Sequence, residues 1–265
     1  MSSFTLRLIA LALMFIDHAG LALFPALPAL RWVGRLAFPL YCFLLAQGYA
    51  HTRDVRAYAR RLLLFALLSE VPFDLLIFGR VACNVEQNAL FSLLLALAAM
   101  ALCPNPAETG AAGRLRTDAQ GGDALASVAG NAGAKATPAA KLLGTTAGVT
   151  GLCMVAMLLR VSYGPLGIAL CLCFHLLRGQ RAMLPCAAGV LLLYTLGQFA
   201  AGVDASWALA SLFALGALPL IALYSGRRGP RTRVLTFLFY AAYPAHLLAL
   251  WLLRLWRVVP PYLFR

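Results

Sequence analysis

Residues 5–25 read TLRLIALALMFIDHAGLALFP, an apolar stretch that nonetheless holds Arg7, Asp17 and His18. About 20 consecutive apolar residues cross the hydrocarbon core as a helix. An ionisable group at that depth costs a few kcal/mol, so such groups are rare and tend to serve function. Arg7 and His18 are eleven residues apart, about three turns at 3.6 residues per turn. They share one face, with Arg7 near one membrane surface and His18 roughly 16 Å deeper. A cation at the mouth and an imidazole in the interior suit an anionic, acyl-carrying ligand. Arg7 alone also suits a side chain that snorkels to lipid phosphates, and His18 one that pairs with a neighbouring helix.

The rest of the chain has the composition of a membrane protein. Of 265 residues, 62% are hydrophobic and 12% charged, with a mean hydropathy of +0.83; soluble domains carry about 25% charged residues. The opening run is long, interrupted by charge and followed by no small-residue cleavage site, so it reads as a retained span rather than a signal peptide. The net charge of +13 sits in short loops between apolar spans. That placement marks topology and argues against a nucleic-acid partner.

Segments long enough to span fall near 4–24, 33–50, 62–79, 88–103, 142–161, 164–177, 183–201, 206–225 and 234–253. The expected fold is therefore all-α, a polytopic helical bundle of about nine transmembrane helices, within a range of eight to ten. The basic residues divide unevenly between the two sides. Arg53, Arg56, Arg60, Arg61, Arg114, Arg116, Lys135, Lys141, Arg178, Arg181, Arg227, Arg228, Arg231 and Arg233 lie on one; Arg31, Arg80, Arg160, Arg254, Arg257 and Arg265 lie on the other. The positive-inside bias places the first side, and the N-terminus with it, in the cytoplasm. Residues 104–140, rich in Ala, Gly and Thr without apolar periodicity, read as a disordered cytoplasmic linker. They divide a four-helix half (1–103), which carries the candidate site, from a five-helix half (141–265) within one membrane domain.

Several spans share one trait: a backbone breaker beside ionisable groups. The second, GRLAFPLYCFLLAQGY, has Arg35 near the far end, Gln47 near the cytoplasmic end and Pro39 expected in mid-span. The third opens with RAYARR, in which Arg56 and Arg60 share a face, as do Tyr58 and Arg61. Guanidinium clusters of this kind anchor topology and also suit phosphate groups. Glu70 and Asp74 lie one turn apart with Pro72 between them, and Arg7 and Arg35 are their expected partners. The last span, FYAAYPAHLLALW, places His246 just after Tyr243 and Pro244. Irregular backbone at membrane depth is tolerated where it faces protein or a wet cavity, so these groups are expected to line one polar chamber. The seven cysteines lie mostly within spans and behave as small hydrophobes. In the Cys171-x-Cys173-x-His175 string only the outer two share a helical face, and no metal is expected.

The segments LRLIALALMFIDHAGLALFP and GRLAFPLYCFLLAQGYAHTRDVRAYARRLLLFALLSEVPF, with FYAAYPAHLLAL near the C-terminus, resemble the TraX family, whose named member is the F-pilin acetylase of conjugative plasmids. The resemblance covers residues 5–100 well and 160–250 loosely. The insertion at 104–140 and the stretch CNVEQNALFSL at 83–93 depart from the family pattern. The resemblance implies transfer of an acetyl group from acetyl-CoA to a protein terminus in the bacterial cytoplasmic membrane. More distantly, the chain resembles bacterial integral-membrane acyltransferases that carry a basic residue, ten intervening residues and a histidine on the first helix, the spacing of Arg7 and His18. Those enzymes place an arginine motif at the cytoplasmic end of a later helix, which Arg56, Arg60 and Arg61 supply.

The chemistry of the residues agrees. An imidazole is the usual general base at neutral pH, and His18 is the candidate. Asp17 is also a catalytic-site candidate; it projects about 100° away from His18 on a helix, and is expected to pair with Arg35 or cap another helix. Arg35, Gln47 and Tyr243 are alternative donors to a developing oxyanion, and Glu70 is a further catalytic candidate. Arg7, Arg56, Tyr58, Arg60 and Arg61 are the expected acetyl-CoA contacts, with Gln47, Asp74, Tyr243 and His246 lining the cavity. Acceptors that fit are a protein terminus, a glycan hydroxyl or a lipid head group. A secondary transporter shares the broken helices and midplane charges, but the chain has no internal repeat. A membrane scaffold would not require Arg7, His18 and Glu70 to be buried.

Overall fold

The structure, a computed structural model, describes residues 1–103, 137–230 and 232–258. Among them the chain forms eleven α-helices: α1 (Ser3–Leu23), α2 (Pro28–Gly34), α3 (Ala37–Ala50), α4 (Val55–Phe78), α5 (Ala89–Leu102), α6 (Pro138–Leu158), α7 (Gly164–Leu176), α8 (Met183–Ala200), α9 (Ala205–Leu212), α10 (Ala217–Ala222) and α11 (Arg233–Val258). A 3₁₀ turn, Phe213–Gly216, joins α9 to α10. The nine expected spans each fall on one of these helices or on a joined pair.

Six of the nine are long and apolar enough to cross a membrane unaided: α1, α2 with α3, α6, α8, α9 with α10, and α11. The other three differ for separate reasons. α4 has the length, at 24 residues, but carries Arg56, Arg60, Arg61, Glu70 and Asp74. α5 and α7 are short, at 14 and 13 residues. They pack on each other at the centre of the bundle, where Leu97, Met100, Leu170 and Phe174 are almost fully buried. A central helix is shielded from lipid by its neighbours and need not match the bilayer thickness alone.

Helix boundaries follow from local chemistry. Ser2, Asp54, Asn88, Thr137 and Asp204 cap α1, α4, α5, α6 and α9 through side-chain oxygens that accept first-turn N–H groups. The bonds from Ser206 hold the exposed Asp204 carboxyl below its usual range. Gly79, at φ 69°, closes α4 in the left-handed conformation favoured by glycine. Two sequence readings change here. The second span breaks at Arg35–Leu36, so Pro39 occupies the first turn of α3, where a missing N–H costs nothing. The C-terminal edge of the expected linker is helical, because Thr137 caps α6 from Pro138; residues 104–136 lie outside the described chain.

The loops sort to two ends. At the near end, the backbone N–H groups of Ser3 and Ser225 bond to Arg227 O and Met1 O, and Met1 N bonds to Leu223 O. His175 bonds to Cys103 O at 2.9 Å. At the far end, Gln87 pairs with Arg160 and Ser162 through backbone bonds. These ties match an alternation of nine crossings. Outward faces are apolar, with Leu193 70% and Leu158 76% exposed, a surface suited to lipid. Arg31 and Arg254, read above as flanking charges, lie inside helices: Arg31 in α2 faces Asp17, and Arg254 in α11 donates to Leu76 O.

Candidate functional site

α1 is the axis of the site, because its one polar face runs the length of the bundle. Arg7, Met14 and His18 recur at helical spacing and all face internal space. Arg7, with Ser3 beside it, borders a cavity of about 200 Å³ at the near end. His18 borders a second cavity, of about 250 Å³, toward the far end. Met14 lines both, together with Phe38, Tyr41, Ala89 and Tyr243. The shared polar chamber read from the sequence is thus two chambers with a common wall.

The near cavity is cationic and aromatic. Arg7, Arg61 and Arg228 line it, with Gln47, Tyr58 and Tyr240. The Arg61 guanidinium lies 5.6 Å from the centre of the Tyr58 ring, and Arg7 lies 5.9 Å from that of Phe239, both within cation–π range. Tyr58 enters the cavity because Gly48 has no side chain; a Cβ there would meet the Tyr58 hydroxyl at 2.9 Å. All three arginines are exposed on α4, and of them only Arg61 reaches the cavity; Arg56 and Arg60, expected to join this cluster, do not line it. With a period of 3.6 residues, Arg61 shares the cavity-facing stripe with Tyr58 and Leu62, while Arg56 and Arg60 point outward.

The far cavity holds the ionisable centre. Asp17 Oδ2 is 3.0 Å from Arg31 Nη1, and Asp17 Oδ1 is 3.4 Å from Arg35 Nη2. The pairing with Arg35 is the one expected from sequence; Arg31, four residues earlier on the same helical run, completes it. α2 approaches α1 this closely because Gly34 has no Cβ: one there would stand 2.3 Å from Asp17 Cβ. Tyr163 is held at φ 63°, an uncommon region for a residue with a bulky side chain. Its ring stacks on Phe38 with centroids 3.5 Å apart, placing it beside Arg35 in the cavity wall. Glu86 borders the same space and accepts from Ser162 Oγ at 2.6 Å.

His18 and His246 form a pair. His246 Nδ1 is 2.9 Å from Ala242 O, and its Nε2 is 3.0 Å from His18 Nδ1. A carbonyl only accepts, so His246 Nδ1 carries hydrogen. In the neutral pair His246 Nε2 then accepts from His18 Nδ1–H, and His18 Nε2 is left with its lone pair. The Tyr243 ring stands edge-on to His18 at 6.3 Å.

Glu70 and Asp74 do not join either cavity, and neither pairs with Arg7 or Arg35. Glu70 accepts from the Asn88 side chain and N–H, and Asp74 Oδ2 accepts from Cys83 N–H at 2.7 Å. They fasten the loop before α5, so charges that needed partners found them in that loop's backbone and in the Asn88 side chain. Gln47 lines the near cavity and not the far one, which leaves Arg35 and Tyr243 as the expected oxyanion donors beside His18. Arg31, Glu86, Tyr163, Tyr194 and Arg228 also line these spaces. The i, i+4 spacing of Arg31 and Arg35 was the one available signal; the rest come from loops or distant helices.

The profile of the TraX protein family matches residues 2–254. The chain belongs to the TraX family. A protein of Dichelobacter nodosus described as a probable fimbrial assembly protein FimC, serogroup H1, is 34% identical over 110 residues, 37% of this chain and 45% of that protein. This TraX chain therefore covers less than half of that relative's length. No solved structure matches it. Its TraX membership extends across both the early helices and α11, which between them supply the two histidines.

Proposed function

We propose that this TraX protein is an acyltransferase of the bacterial cytoplasmic membrane that serves pilus or fimbrial assembly. It moves an acetyl group from acetyl-CoA to an amine or hydroxyl acceptor, for example the N-terminus of a pilin-like protein. The observation that carries this reading is the arrangement of α1. An arginine-lined cavity at one end adjoins a chamber bordered by the His18–His246 pair at the other, across five shared wall residues. The fimbrial relative supports the assembly context, and the concentration of basic residues at the near end supports a cytoplasmic location for it.

In this mechanism Arg7, Arg61 and Arg228 hold the phosphates of acetyl-CoA, since guanidinium donors match phosphate oxygens in pairs. His18 Nε2 takes the proton of the acceptor N–H or O–H as that atom attacks the acetyl carbonyl. The new C–N or C–O bond forms, the thioester C–S bond breaks, and the proton passes from His18 to the departing thiolate. His246 Nε2 faces the imidazolium that forms and favours it. Arg35, paired to Asp17, and Tyr243 are the donors nearest to where the oxyanion develops.

The test is thermal stability of the purified protein in detergent with and without acetyl-CoA, followed by transfer to a peptide bearing a free N-terminal amine. A ligand that binds only the folded state raises the melting temperature. The expected result is a shift that Arg61→Ala reduces, together with transfer that His18→Ala removes. No shift at millimolar acetyl-CoA and no transfer would overturn the reading.

A further inference from the structure

The wall between the two cavities faces both the donor side and the base. It is formed by Met14, Phe38, Tyr41, Ala89 and Tyr243. Three of these are aromatic, and two of those are held by specific partners. Phe38 is stacked on Tyr163 at 3.5 Å, and Tyr243 stands edge-on to His18. Ala89 is the first residue of α5, with no side chain beyond Cβ. Met14 differs in kind: it is unbranched, with three rotatable bonds, and adapts its shape to what lies beside it. It also sits one helical turn before His18 on the same face, 8% exposed.

We infer that this neck sets the length of the acyl chain that is transferred, with Met14 as the residue that limits it. The inference rests on the acyltransferase reading above. For the acceptor atom to attack while His18 takes its proton, the thioester carbonyl must stand at the neck. The acyl tail then lies against the residue one turn away, which is Met14. An acetyl group adds one methyl beyond the carbonyl and clears the side chain; each further methylene runs into it. The bond changes are those of the parent reaction, with only the tail altered. One methylene against an apolar wall discriminates by roughly 10–200-fold, so a neck of this kind is enough to select acetyl over butyryl.

The experiment uses the full chain in lipid nanodiscs, with acetyl-, propionyl- and butyryl-CoA as donors. The acceptors are a peptide with a free amine and, separately, glycerol, and release of free CoA thiol is the readout. Wild type is expected to favour acetyl over butyryl by tenfold or more. Met14→Ala should raise the butyryl-to-acetyl ratio at least tenfold, while Met14→Leu, close in volume, keeps the wild-type preference. Ala89→Leu adds bulk to the same neck and should lower transfer of every acyl group. Its melting temperature without donor, compared with that of wild type, shows that it is folded. If Met14→Ala fails to fold, Ala89→Leu decides the matter alone. Active wild type with an unchanged ratio in Met14→Ala, or wild-type transfer by Ala89→Leu, overturns the inference and leaves the acyltransferase reading standing. Wild type that releases no CoA thiol with any donor removes both.

Discussion

His246 Nε2 stands 3.0 Å from His18 Nδ1, although 228 residues separate them in the chain. The bond joins the first long helix to the last. Through the carbonyl of Ala242, it also fixes which nitrogen of His18 is free to act as a base. Carboxylates commonly orient a catalytic histidine; the group bonded to His18 is instead a second imidazole, and Asp17 is turned away to Arg31 and Arg35.

The two histidines should therefore fail differently. His18→Ala is expected to abolish acetyl transfer while acetyl-CoA still raises the melting temperature. His246→Ala removes only the orienting partner, and kcat is expected to fall about 10–100-fold with little change in KM, less than the roughly 10²–10⁴-fold attributed to the acid–base group itself. Steady-state kinetics beside thermal shifts check both. Equal loss of donor binding in His18→Ala would assign it to folding or binding instead.

The arginines of α4 should separate by side. Arg61→Ala and Arg7→Ala are expected to raise KM for acetyl-CoA roughly tenfold, the effect of about 1.4 kcal/mol, with kcat largely preserved. Arg56→Ala and Arg60→Ala, outside the near cavity, should change KM less than twofold. A kcat effect without a KM effect at Arg61 would contradict a docking role.

Asp17 holds two partly buried cations and should matter for stability more than for chemistry. Asp17→Asn leaves Arg31 and Arg35 without their counter-charge. Removing one partner of a buried pair costs about 3–5 kcal/mol, so a marked fall in melting temperature is expected in detergent. Because the groups share one network, Asp17→Asn with Arg31→Met should cost less than the sum of the single changes. Additive losses would show that Arg31 acts independently.

Orientation is open to a labelling test. In a background with the seven native cysteines replaced, a cysteine at Val85 in the far-end loop should react with a membrane-impermeant maleimide in intact cells. One at Ser225 in the near-end loop should react only after lysis. The reverse pattern would place the near cavity outside the cytoplasm and so away from acetyl-CoA.

The sequence by itself determined the class of this protein and the face of α1. Apolar runs of spanning length dictate helices, because a bilayer offers backbone groups no other partner. The fixed helical period puts Arg7 and His18 on one stripe whatever surrounds it. The same period placed Tyr58 beside Arg61 and made the pairing of Asp17 with Arg35 foreseeable. Tertiary structure alone decided the rest. Which face of α4 turns inward separates Arg61 from Arg60, and the packing of α11 against α1 brings His246 to His18. Asn88, through its side chain and N–H, and the backbone N–H of Cys83 supply Glu70 and Asp74 with the partners that Arg7 and Arg35 were expected to be. These are choices among partners distant in sequence. They are settled by which contacts satisfy the most buried polar groups at once, and local periodicity carries no information about that.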